Sequence, residues 1–197
     1  DHPGELIKYD WRPTRLRFGE LIWNSPSGRL DLRVGDERPF VPRFLTSFVP
    51  PDFVPPKRQR TRPFPKDQRE LSLATAWRLV DDGQTVLVFC PERRSVEPFA
   101  DAIVDLHERG ALRSLLEADI DILDTAIALG EEWLGPDNAI LSCLKLGVAL
   151  HHGALPTAYR KEVERLLRMG VLKVTISSPT LAQGLNLSAT AIVMHSL

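Results

Sequence analysis

Apolar and polar positions along the chain change their period near residue 70. Over 16–23 and 29–34 lie β-rich runs of the length expected of strands, with Ser25-Pro26-Ser27-Gly28 between them and Gly35 after the second, so a β-hairpin is predicted. From 49 to 68 the pattern changes. There Pro50, Pro51, Pro55, Pro56, Pro63 and Pro65 interleave with Lys57, Arg58, Arg60, Arg62 and Lys66, a mixture that builds no core and favours extended backbone. This strip reads as a solvated connector, and beside a phosphate track its charge would add affinity.

After Glu70 short apolar runs alternate with segments of helical period. A helix is predicted over 71–80 and a buried strand over 85–90, because TVLVFC is a short continuous β-branched and apolar run. Ser95 is expected to cap a helix with Val96, Phe99, Ala100, Ile103 and Val104 on one face, closed by Gly110. A second amphipathic stretch is expected over 112–133, its Glu117, Asp119, Asp121, Asp124, Glu131 and Glu132 forming a solvated face. Gly135-Pro136-Asp137 breaks it before a shorter helix ending near Gly147. A strand over 148–151, a helix from Pro156 to Gly170, and strands over 172–177 and 190–195 complete the series. Such alternation predicts an α/β fold, a parallel sheet covered by helices on both faces, behind a small β-rich and Pro-rich connector. The predicted division is 1–70 for the connector and 71–197 for the α/β domain.

Composition adds limits. The chain has 197 residues, 43% of them hydrophobic, and its 25 Lys and Arg against 26 Asp and Glu leave a net charge of -1. Any nucleic-acid binding must therefore come from local clustering of charge. The longest apolar runs, 86–90 and 191–194, fall far short of the roughly 20 residues a membrane-crossing helix needs. Cys90 and Cys143 lie in apolar runs that suit reduced core thiols, and no signal sequence opens the chain, so a cytoplasmic protein without membrane contact is expected. Asp1 in place of Met, and an end at Leu197 directly after a strand-like run, point to a piece of something longer.

In a parallel sheet, ligands meet the loops at the carboxyl ends of the strands, which here follow Cys90, His151 and Ser177. The third loop, SSPTLAQGLNLSAT over 177–190, offers hydroxyls, backbone amides, a glycine that permits close backbone approach and the amide of Asn186, a set suited to an anion. Arg93 and Arg94 in the first loop are either phosphate contacts or ordinary surface arginines. A phosphatase-type cradle on Cys90 fails on spacing, since Val96 stands where an arginine is needed. Adjacent strand residues point to opposite faces, and no further ligand sits at metal spacing from His151 and His152, so no metal is expected.

LKVTISSPTLAQGLNLSA resembles motif V of superfamily 2 helicases of the Ski2-like branch, with Ser178 in a threonine position and Ser188 in a proline position. GVALHHGALPTAYRKEVERLLRMG is similar to the family segment in which a strand ends in two histidines before a charged helix, with Gly153 and Ala154 exchanged. QTVLVFCPERRSVEPFADAI resembles motif IV, and YDWRPTRLRFGELIW looks like the family's connector into its second domain. The resemblance implies a RecA-like C-terminal domain over 71–197, ending before the arginine-rich motif VI. It assigns Arg93, Arg94, His152, Ser178 and Thr180 to nucleic acid, and Gln183, Gly184 and Asn186 to the ATP side of the cleft. It also implies ATP and Mg2+ as cofactors of an intact two-domain enzyme, and as partners a DNA or RNA single strand, an N-terminal RecA-like domain and further subunits. No Gly-x-x-x-x-Gly-Lys-Ser/Thr occurs, and Asp36-Glu37 continues as Arg38-Pro39 in a turn-like context, unlike an Asp-Glu-x-His motif. The chain alone is thus expected to bind no nucleotide cofactor, to contain no catalytic residue and to hydrolyse no ATP. A docking module that has lost catalysis is the alternative reading.

Overall fold

The computed structural model describes residues 17–52, 62–179 and 189–195. Contacts divide the chain into two compact units, Asp1–Thr46 and Ser47–Leu197.

In the first unit β1 (Phe18–Asn24), β2 (Ser27–Arg33) and β3 (Phe40–Thr46) form an antiparallel sheet in that order. The predicted hairpin is β1–β2, closed at a cis Ser25–Pro26 bond and registered from Phe18 opposite Arg33 to Asn24 opposite Ser27. Opposed residues share a face. One face therefore carries Phe18, Glu20, Ile22 and Asn24 of β1, while Leu21 and Trp23 look the other way. Gly28 lies directly under Trp23, where a Cβ would come within 2.8 Å of the indole.

In the second unit α1 (Gln68–Asp81) opens on Asp67, whose carboxylate accepts from the Glu70 N–H at 2.9 Å. Glu70 in turn accepts from the N–H of Lys66, the residue before the cap, so one first-turn donor and the donor just ahead of the helix are both satisfied. The core strands are β4 (Val86–Phe89), β5 (Val148–His151), β6 (Val174–Ser177) and β7 (Ala191–Met194). They pair in the order β5-β6-β4-β7, all parallel. β5 and β6 are buried at every position, which explains why all their residues but His151 are apolar or small. Helices α2 (Glu97–Glu108), α3 (Asp124–Leu134), α4 (Ala139–Lys145) and α5 (Thr157–Arg168) flank the sheet. α1 packs on β4, β6 and β7, α4 on β5 and α2, and α3 on α5. This α/β architecture agrees with the predicted class and is consistent with a RecA-like fold. Leu73, Val88, Phe99, Ile103, Leu141 and Ile176 lie at or near zero exposure in its core, each side chain contributing roughly 1.5–3 kcal/mol of burial.

Two local readings change. Ser95 does not cap α2: it lies in a 3-10 turn, Arg93–Ser95, and α2 begins at Glu97 with Pro98 in its first turn, where a missing N–H costs nothing. Residues 112–119 are not helical, and after them comes a 3-10 turn, Ile120–Leu123, before α3. Leu112 and Leu115 are buried from an extended segment whose Leu115 N–H donates to the Leu146 carbonyl at 2.8 Å. Gly147 (φ 80) accommodates that close approach, since a Cβ there would meet the Leu116 nitrogen at 2.7 Å. The ends of the proline-rich strip belong to the second unit, where Phe48 and Phe64 pair as an antiparallel bridge with edge-on rings.

Candidate functional site

Because β4, β5 and β6 are parallel and in register, Phe89, Ser177 and His151 stand level, with Met194 of β7 level with Phe89. All four carboxyl ends open onto one rim. Backbone bonds tie the loops together there: the Cys90 N–H donates to the Ser177 carbonyl at 2.8 Å, and the Ser178 N–H to the His151 carbonyl at 3.3 Å. The 3-10 turn holding Arg93 and Arg94 follows the β4 end.

His152, 1% exposed, is the hub of this rim. Its Nδ1 accepts from the Ala154 N–H at 3.3 Å, which places the proton of the neutral ring on Nε2. Nε2 lies 3.2 Å from a Glu97 oxygen but out of line for a hydrogen bond. Burial lowers the pKa of His152, Glu97 opposes, and the positive charge of Arg93 adds to the lowering, which puts that guanidinium within electrostatic range. His151 turns to another helix: its Nε2 lies 3.1 Å from Glu164 Oε1 on α5, and burial again lowers its pKa against the pull of Glu164. The neighbouring histidines thus serve α2 and α5 separately. Among the described residues no cluster of three or more His, Cys, Asp or Glu is placed to hold a metal ion.

Of the predicted binding residues, Arg93, His152 and Ser178 each lie in a loop at the rim, Ser178 being 2% exposed with its carbonyl accepting from the Ser177 hydroxyl at 2.8 Å. Arg94 shares the turn but pairs with Glu92 on the exposed surface. Thr180, Gln183, Gly184 and Asn186 lie outside the described residues.

Residues not singled out from sequence complete the β7 end. His195 Nδ1 is 3.1 Å from the Ser72 hydroxyl of α1, and its ring meets Phe99 edge-on at 4.9 Å. Arg69 lies 5.7 Å from the Phe99 ring centroid. Burial pushes the Cys90 thiol up to about 11 with Arg69 opposing, and Cys143 up to about 12, so neither is a nucleophile near neutrality. Glu97 and Glu164 escaped the sequence reading because their partners are distant along the chain. The one signal was an acid in the first turn of one rim helix and inside the other.

No protein-family model matches the chain. It is 30% identical over 194 residues to the Hachiman protein HamB of Bacillus cereus, an alignment taking in 95% of this chain and 17% of that protein. It is 27% identical over 192 residues to the ATP-dependent DNA helicase Hel308 of Methanocella arvoryzae, with 96% of this chain and 22% of that one covered. A shorter match, 46% identical over 57 residues, reaches the Hel308 helicase of Aeropyrum pernix and covers 29% of this chain and 8% of that one. The two long alignments take in both compact units. The chain therefore has a helicase-like, superfamily 2 relationship, and it spans less than a quarter of the length of these curated relatives. Among the described residues no helix is long and apolar enough to cross a membrane.

Proposed function

We propose that the chain is the second motor domain of an ATP-dependent DNA or RNA helicase, residues 71–197 forming the C-terminal RecA-like domain and 1–70 the connector into it. The observation that carries this reading is the common rim: the strands leading into three loops that resemble helicase segments end level on one parallel sheet, and Arg93, His152 and Ser178 lie in those loops.

The sequence holds neither a Gly-x-x-x-x-Gly-Lys-Ser/Thr cradle nor an Asp-Glu-x-His magnesium motif. Asp36 and Glu37 occupy a tight turn of the antiparallel first unit, in which Val34 and Glu37 exchange backbone bonds of 3.2 Å. ATP and Mg2+ would thus be held chiefly by the other domain of the two-domain enzyme. In that enzyme Gln183, Gly184 and Asn186 would face the nucleotide, and Arg93, Arg94, His152, Ser178 and Thr180 the strand. Contacts of this kind meet backbone phosphate, so weak sequence preference and clear salt dependence are expected.

The test is fluorescence anisotropy of a labelled single strand on the chain over a salt series. Arg93→Ala is expected to weaken binding roughly 3- to 10-fold and to reduce the salt slope by about one. Unchanged affinity and slope would remove the rim as the strand track.

A further inference from the structure

A second candidate contact lies in the first compact unit. The β2–β3 ladder shifts between Gly28, opposite Leu45, and Leu30, opposite Val41, so that Arg29 alone faces Pro42, Arg43 and Phe44. At this bulge Arg43 adopts φ 51, the left-handed region that a β-carbon disfavours, and among the described non-glycine residues it is alone in having a positive φ. A surface pocket of about 340 Å³ opens there. Two guanidinium groups (Arg29 and Arg43), the Asn24 amide and the Ser27 hydroxyl line it, with Ile22 and Pro42 as its apolar wall. Asp31 offsets Arg29 through an ion pair of 2.9 Å and holds it 5.8 Å over the Phe40 ring. Arg43 is exposed and has no ion-pair or hydrogen-bond partner among the described residues. Phe40, 59% exposed, and Phe18, 64% exposed, stand on the same face of this sheet as Ile22 and Arg29.

We propose that this bulged pocket binds single-stranded nucleic acid, with Arg43 on a backbone phosphate, Asn24 and Ser27 beside it, and a base stacked on Phe40. A strained residue persists where the surrounding structure imposes it, and such outliers concentrate at ligand contacts. The bulge re-aims one side chain, and that side chain is an unpaired guanidinium, whose planar donors match phosphate. Exposed aromatic rings next to it favour a strand over an acidic peptide, because bases stack and carboxylate side chains do not. The inference rests on the nucleic-acid reading above but uses different residues, so the two can fail separately.

The experiment measures binding of a fluorescein-labelled oligothymidylate of about twenty residues to the intact chain over a salt series, with Arg43→Gly, Phe40→Ala and Arg93→Ala compared. Glycine accepts a φ of 51 without strain, so Arg43→Gly removes the guanidinium and keeps the bulge. Arg43→Gly is expected to weaken the strand roughly 3- to 10-fold and lower the salt slope by about one. Phe40→Ala should weaken the same strand and leave an abasic strand of equal length unaffected. Wild-type affinity in Arg43→Gly alongside a loss in Arg93→Ala would overturn the pocket and leave the rim standing, whereas the converse would overturn the rim and leave the pocket. An oligoglutamate peptide that binds more tightly than the strand in an Arg43-dependent way would overturn the assignment to nucleic acid.

Discussion

Arg43 links local strain to a measurable cost. A non-glycine residue at positive φ is disfavoured by about 1–2 kcal/mol, so Arg43→Gly should raise the stability of the first unit by about 0.5–1 kcal/mol once the extra entropy of glycine in the unfolded chain is offset. Chemical denaturation monitored by tryptophan fluorescence checks this, Trp23 being in that unit, and a loss of stability would mean the bulge needs the arginine itself. The buried histidines make a second prediction. Burial lowers the pKa of His151, His152 and His195 in the folded chain, whereas each titrates near 6.5 when unfolded. Below about 6.5 the unfolded chain therefore takes up protons that the folded chain refuses, and stability falls as the pH drops toward the folded values. The melting temperature should be lower at about pH 5 than at about pH 7.5, with the difference reduced in His152→Gln. An acid-insensitive melting temperature would show that Glu97 and Glu164 outweigh burial.

Gly130 of α3 reverses the usual rule for a helix interior. Alanine normally improves such a position by about 1 kcal/mol, but here a Cβ would come within 2.2 Å of a Leu141 methyl on α4 and 3.1 Å of the Tyr159 ring on α5. Leu141 is fully buried and has nowhere to swing, so Gly130→Ala should destabilise by roughly 1–3 kcal/mol; a gain in melting temperature would refute that packing. Elements framed by their own punctuation were legible from sequence, as α5 was from Pro156 and Gly170 and the β1–β2 hairpin from its turn. β3 was not, because Pro42 and the bulge at Arg43 destroy the alternation that marks a strand. The segment 112–119 was misread because leucines spaced for a helix are buried instead through a bond to the α4–β5 turn. The rim loops were visible as strand ends, but the carboxylates that meet its histidines were not, since only the fold brings Glu97 to His152 and Glu164 to His151.

In the whole molecule, the absence of Gly-x-x-x-x-Gly-Lys-Ser/Thr from these 197 residues predicts that the purified chain shows no strand-stimulated ATP hydrolysis. Turnover above a buffer blank, co-eluting with the chain, would sink the motor-domain reading. The order β5-β6-β4-β7 also bears on how the second unit comes into being. β4 is the first of these strands to leave the ribosome, yet both of its neighbours, β6 and β7, are among the last. A nascent chain that has reached only Gly170 holds β4 and β5, which never touch, and so holds no pairing of the parallel sheet. Folding of this unit must wait until β6 and β7 have been made, with long loops to close and apolar strand surface uncovered meanwhile. Stalled chains ending near Gly170 should be cut freely by protease, whereas chains released through β7 should resist it. The same arrangement that levels the strand ends on one rim makes the unit a late folder and a natural client for chaperones during translation.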